Sequence, residues 1–142
     1  MYEKILIALE NSKYDQALLD HVLQLASLTH SELILVHVSD GWVARNYERL
    51  QLAESEEMIQ DRTYLQNLAN KLNNQGFKTT WVLALGNPPD EILKTAEAHG
   101  CTLIAMGSHG HRFFQDILFG STISKVRHLT KLPVLLVKTK TK

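Results

Sequence analysis

Short runs of apolar residues alternate along the chain with longer stretches in which apolar positions recur every three or four residues. Residues 4–9, Lys4-Ile5-Leu6-Ile7-Ala8-Leu9, are apolar at consecutive positions, as in a central strand of a parallel sheet with helices on both faces. The same pattern returns at residues 33–38, 78–85, 103–106 and 133–137. After the first strand, Ser12 with Asp15 three residues on reads as a capping box, opening a helix with apolar positions Ala17, Leu18, Val22, Leu25 and Ala26. Residues 52–74 set Met58, Leu65, Leu68, Ala69 and Leu72 on one helical stripe, and Gly76 follows as the terminating glycine. Gly86-Asn87-Pro88-Pro89 reads as a turn opening a third helix that ends near His99 and Gly100. Residues 121–129 read as a fourth helix. Residues 39–49, with Gly41, Trp42 and Arg45, are the least periodic and read as a surface loop.

Strand and helix therefore alternate from end to end. Repeated β-α-β units with right-handed crossovers imply an α/β fold: one domain over residues 1–142, a three-layer α/β/α sandwich around a five-stranded parallel sheet.

Composition narrows the partners. Fifteen basic residues balance fifteen acidic ones, which leaves no basic surface of the kind that binds nucleic acid. The tail Lys138-Thr139-Lys140-Thr141-Lys142 reads as a solvated end. Cys101 is the single cysteine, so no internal disulfide forms and a reducing compartment is expected. No apolar run is long enough for a signal peptide core or a membrane span, so a cytoplasmic location is expected.

In open parallel sheets ligands bind beyond the carboxyl ends of the strands, near the point where strand order reverses. The most informative such segment is residues 107–122, after the fourth strand. Gly107 ends a buried strand where a residue without Cβ permits close backbone approach, and Gly110 allows a second unusual turn. Successive N–H groups there can form a nest for anionic oxygens. Gly120 is expected immediately before a helix, with Ser121 and Thr122 on its first turn, where free amides and the dipole favour phosphate. Turn and cap chemistry alone accounts for such glycines about equally well.

Gly107-x2-Gly110-x9-Gly120-Ser121 resembles the ATP motif of the universal stress protein family in spacing and in position after the fourth strand. Residues 4–9, 35–38, 86–92, 103–108 and 133–137 resemble the family's other conserved segments, so the likeness covers nearly the whole chain. It implies an adenine nucleotide alpha hydrolase-like fold with strand order 3-2-1-4-5. It also implies ATP with Mg2+ as ligand. Gly107, Gly110, Gly120, Ser121 and Thr122 would hold the phosphates, and Val38 backbone would read the adenine edge. Ala8 and Met106 would line the base and ribose, and Glu10 stands where the family carries an Asp that contacts the nucleoside. His109 and His111 would be loop donors near phosphate; a metal site would need a third ligand that the neighbouring residues do not supply.

The expected function is a nucleotide-dependent regulatory module of the stress response. The alternatives are a slow ATPase or autophosphorylating enzyme, and a nucleotide-free protein-interaction module. No Walker lysine or evident base stands in the loop, which disfavours phosphoryl transfer. The other strand ends lack the acceptor Asp of a receiver domain and the Gly-x-Gly-x-x-Gly of a dinucleotide-binding enzyme. The apolar fifth strand, Val134 to Val137, is expected at a sheet edge, and edge pairing together with the family habit predicts a homodimer, alongside an unidentified regulatory partner. His37, on an apolar strand, reads as a satisfied core histidine, and Cys101 as inert packing.

Overall fold

The structure is a computed structural model that describes residues 1–108 and 114–139, with residues 114–120 described by their helical backbone. The chain runs β1 (Lys4–Ala8), α1 (Asp15–Thr29), β2 (Glu32–Ser39), α2 (Trp42–Leu50), α3 (Glu56–Asn74) and β3 (Thr79–Leu85). It continues with α4 (Pro88–Ala98), β4 (Leu103–Ser108), α5 (Phe114–Leu129) and β5 (Val134–Lys138). The strands form one parallel sheet in the order β3-β2-β1-β4-β5. Fold class and strand order are as expected.

Side chains of a strand point alternately to its two faces, and the core divides accordingly. Ile5 and Ile7 of β1 with Leu33 and Leu35 of β2 pack under α1 and α3, against Leu18, Val22, Leu65 and Leu72. Leu6 and Ala8 with Ile34 and Val36 pack under α4 and α5, against Ile92, Ala96, Ile123 and Val126. Consecutive apolar residues are needed because both faces are covered. The central side chains Ile5, Leu6, Ile7, Leu33 and Leu35 have no exposure at all or none beyond 1%.

Local chemistry sets the element ends. Ser55 caps α3, its Oγ accepting from the Met58 amide at 3.1 Å. Gly76, at φ +96, takes the left-handed turn that ends the helix without a Cβ clash. Gly107 is a case of close approach: a Cβ there would stand 3.3 Å from Thr139 Cγ2.

Four sequence expectations shift. Residues 39–49 are not a loop throughout, because α2 occupies Trp42–Leu50. Ala44 is its one buried residue, and at nine residues the helix is too short for its apolar positions Val43, Ala44, Tyr47 and Leu50 to stand out from the polar ones around them. The long helix starts at Glu56, after its Ser55 cap, and not near residue 52. Helix α1 starts at Asp15 and Ser12 is not its N-cap; the Asp15 carboxylate instead accepts the Glu10, Asn11 and Ser12 amides. Helix α5 starts at Phe114 rather than Ser121 and runs through Gly120. A helix tolerates an interior glycine at roughly 1 kcal/mol, so the glycine did not mark a boundary.

Candidate functional site

Strand β2 outruns β1. Their register ends at Ala8 against Val36, followed by one further rung in which the Leu9 amide donates to the Val36 carbonyl at 2.8 Å. The next rung would join the Val38 amide to the Leu9 carbonyl, but that carbonyl accepts from the His37 ring instead, Nδ1 to O 2.8 Å. Peptide groups alternate in direction along a strand. Val36 faces β1, so the Val38 N–H and C=O face the same side, beyond the point where β1 turns away. They form an open donor–acceptor edge.

That edge borders a cavity of about 370 Å³. Its apolar walls are Ala8, Val36, Val38 and Ile92, all from the sheet and α4. Glu10 enters from the β1–α1 connection, Asp40 and Arg45 from the β2–α2 segment, and Asn87 and Pro88 from the start of α4. Ser121, Thr122 and Lys125 enter from α5. The cavity thus spans the carboxyl ends of β1 and β2 and reaches the helix that follows β4. Strand order reverses between β1 and β4, so this is the switch point of the sheet.

Of the residues expected in the site, Ala8, Glu10, Val38, Ser121 and Thr122 border this cavity. Met106 is fully buried in the core between the sheet and α4/α5 and does not border it. Gly107 is buried at the end of β4, against Thr139, and Gly120 lies on α5 directly before Ser121. His109, Gly110 and His111 lie outside the described residues. Because α5 begins at Phe114, Ser121 and Thr122 are not at a helix N-terminus. Their amides belong to the helical ladder, and what they bring to the cavity is hydroxyl chemistry.

Asp40, Arg45, Asn87 and Lys125 were not singled out from the sequence. Arg45 Nε donates to the Asp40 carbonyl at 2.7 Å, and its guanidinium stands 3.8 Å from the Asp40 carboxylate. The Asn87 amide nitrogen donates to Asp90 at 2.7 Å. Asp40, Arg45 and Lys125 lie in no local motif, whereas Asn87 belongs to the Gly86-Asn87-Pro88-Pro89 turn, which signals that this segment reaches a strand end.

Beneath the β1–α1 connection lies a second polar group, facing α1 and α3. Buried Asp61 accepts from Asn11 Nδ2 at 2.9 Å and from Ser39 Oγ at 2.8 Å, and lies 3.2 Å from His37 Nε2. Buried Asp15 accepts from Tyr64 OH at 2.6 Å besides the loop amides. Burial, together with the hydrogen bond and charge of Asp15, holds the Tyr64 phenol above its ordinary range. Both ring nitrogens of His37 are engaged, in keeping with a satisfied core histidine. Burial pushes the Cys101 thiol up to about 11, the nearby Lys4 charge acting in the opposite sense, so the thiolate is disfavoured.

An open parallel sheet covered by helices on both faces, with a polar-rimmed cavity at its switch point, defines a doubly wound α/β domain with a candidate ligand site. Comparison with known proteins gives the family. The profile described as "Universal stress protein family" matches residues 1–138. The chain is 30% identical to universal stress protein MJ0577 of Methanocaldococcus jannaschii, over 99% of this chain and 97% of that protein. Its solved structure superposes with a TM-score of 0.80, covering 100% of this chain and 99% of the other. A universal stress protein from Archaeoglobus fulgidus solved with dAMP has a TM-score of 0.71 at 21% identity, covering 96% and 98% of the two chains. Another universal stress protein, solved with cAMP, has a TM-score of 0.69 at 18% identity, covering 98% of each. The chain belongs to the universal stress protein family.

Proposed function

We propose that this chain is a regulatory module that binds ATP, with Mg2+, in the cavity at the ends of β1 and β2, and alters its contacts with a protein partner according to occupancy. The observation that carries this is the open edge of β2. The Val38 carbonyl would accept from an exocyclic amino group and the Val38 amide would donate to a ring nitrogen, a reading supported by their position beyond the last β1 rung. Adenine presents that pair side by side; guanine presents the reverse, an acceptor oxygen beside a ring N–H. Val36 and Ile92 supply apolar surface for a base. The volume lies in the ordinary range for small-molecule pockets, about 300–1,000 Å³. The two relatives solved with dAMP and cAMP support adenine nucleotide chemistry.

The phosphates would lie toward α5, against the hydroxyls of Ser121 and Thr122, with Gly107, Gly110 and Gly120 as the expected backbone contacts. Among the described residues no group of three or more His, Cys, Asp or Glu forms a metal site. Mg2+ would therefore come with the nucleotide, held by phosphate oxygens and water. Calorimetric titration of ATP against GTP, each with Mg2+, tests the proposal. ATP is expected to bind at least roughly tenfold tighter, because a buried donor–acceptor pair rejects the reversed edge. Equal affinities, or no heat from ATP, would overturn it.

We also propose a homodimer through β5, which lies at the sheet edge with its chain exposed to pairing. Val137→Lys is expected to shift the protein from dimer to monomer in gel filtration; an unchanged dimer would sink edge pairing.

A further inference from the structure

Lys125 follows Ser121 by four residues and Thr122 by three, so the three side chains share one face of α5. All three border the cavity. The two cationic side chains, Arg45 and Lys125, that border the cavity among the described residues differ sharply. Arg45 is engaged by both the carbonyl and the carboxylate of Asp40. Lys125 makes no hydrogen bond or ion pair among the described residues. They also enter from opposite sides of the switch point: Arg45 from the segment after β2, Lys125 from the helix after β4. Val38 and Lys125 border the same cavity, one from β2 and the other from α5.

Resting on the nucleotide site proposed above, we infer that Lys125 is the specificity-determining residue that makes affinity rise with the number of phosphates. An ammonium is a point charge that serves any phosphate oxygen within reach, without the fixed fork of an arginine. Each phosphate added to a ligand brings further negative charge into the cavity, which a nearby cation offsets. Ser121 and Thr122 can donate hydrogen bonds but cannot offset charge. Lys125 supplies the offset on the same helix face. Because it is exposed, its effect is open to screening by salt.

The experiment is calorimetric titration of adenosine, AMP, ADP and ATP, at one ionic strength, into wild type, Lys125→Gln and Lys125→Arg, with thermal unfolding of each protein measured alongside. In wild type, affinity climbs from adenosine to ATP. Lys125→Gln is expected to weaken ATP about tenfold while adenosine changes by less than about twofold, the size of one lost charge-assisted hydrogen bond at a partly exposed site. Lys125→Arg keeps the charge and is expected to keep the climb, with the unfolding temperature unchanged in both variants. An ATP affinity unmoved by Lys125→Gln, or an equal loss for adenosine and ATP, would overturn the role of Lys125 and leave the nucleotide site standing. If wild type takes up neither adenosine nor ATP, the site itself falls, and Lys125 with it.

Discussion

The two faces of the sheet treat the carboxyl ends of the same strands in opposite ways. On the α1/α3 face, polar side chains close on one another. Asp61 receives Asn11 and Ser39 and sits beside His37, while Asp15 receives Tyr64 and three loop amides. On the α4/α5 face the chain leaves a cavity, an open backbone edge at Val38 and, at Lys125, an ammonium without a partner among the described residues. Buried polar groups are stabilising when mutually satisfied and destabilising when one partner is lost. The first face therefore has the signature of structure, and the second carries the groups on which the proposed site rests. Residues 9–11 connect the two. Leu9 accepts from His37 on the closed side, Glu10 borders the open side, and Asn11, at φ +58, ties the turn to Asp61. The closed face thus holds in place the loop that shapes the open one.

Opposite responses to mutation would sharpen this contrast, and the largest effect belongs to the closed face. Asp61→Ala leaves Asn11, Ser39 and His37 without their common acceptor, and is expected to lower the unfolding free energy by about 3 kcal/mol in urea titration. A change below about 0.5 kcal/mol, the scatter of ordinary surface substitutions, would show that the network is not structural. Lys125→Gln, on the open face, should do the reverse: it moves nucleotide affinity and leaves stability alone.

A smaller effect concerns pH and lies away from both groups. The Cys101 thiol ionises at 9.0 in an unperturbed chain and at about 11 in the fold. Above pH 9.0 the unfolded chain sheds this proton first and is favoured. Stability is thus full below that pH, and declines as pH rises toward about 11. Tyr64 acts in the same sense at higher pH, since its phenol is also raised. Urea midpoints measured across this range should fall less steeply for Cys101→Ala than for wild type. Parallel curves would exclude the thiol as a contributor.

How much of this the sequence disclosed depends on the range of the interaction. Apolar runs such as Ile5-Leu6-Ile7 announce a strand covered on both faces, because alternation of side chains is a property of each strand alone. Five such runs separated by helices suffice for a parallel sheet, and the glycine spacing after β4 marks the family. Caps and helix ends were less legible. Helix α2 is only nine residues long, too short for its apolar positions to announce it, and Gly120 is carried inside α5 where local rules suggested a boundary. Tertiary structure alone decided the rest. Asp61 finds partners 50 and 22 positions away, and Lys125 borders one cavity with Val38 and Glu10 only because β4 lies beside β1 and α5 packs over the same face. Chain direction and periodicity are local quantities, whereas a site at a switch point is made by strands that are neighbours in space and distant in sequence.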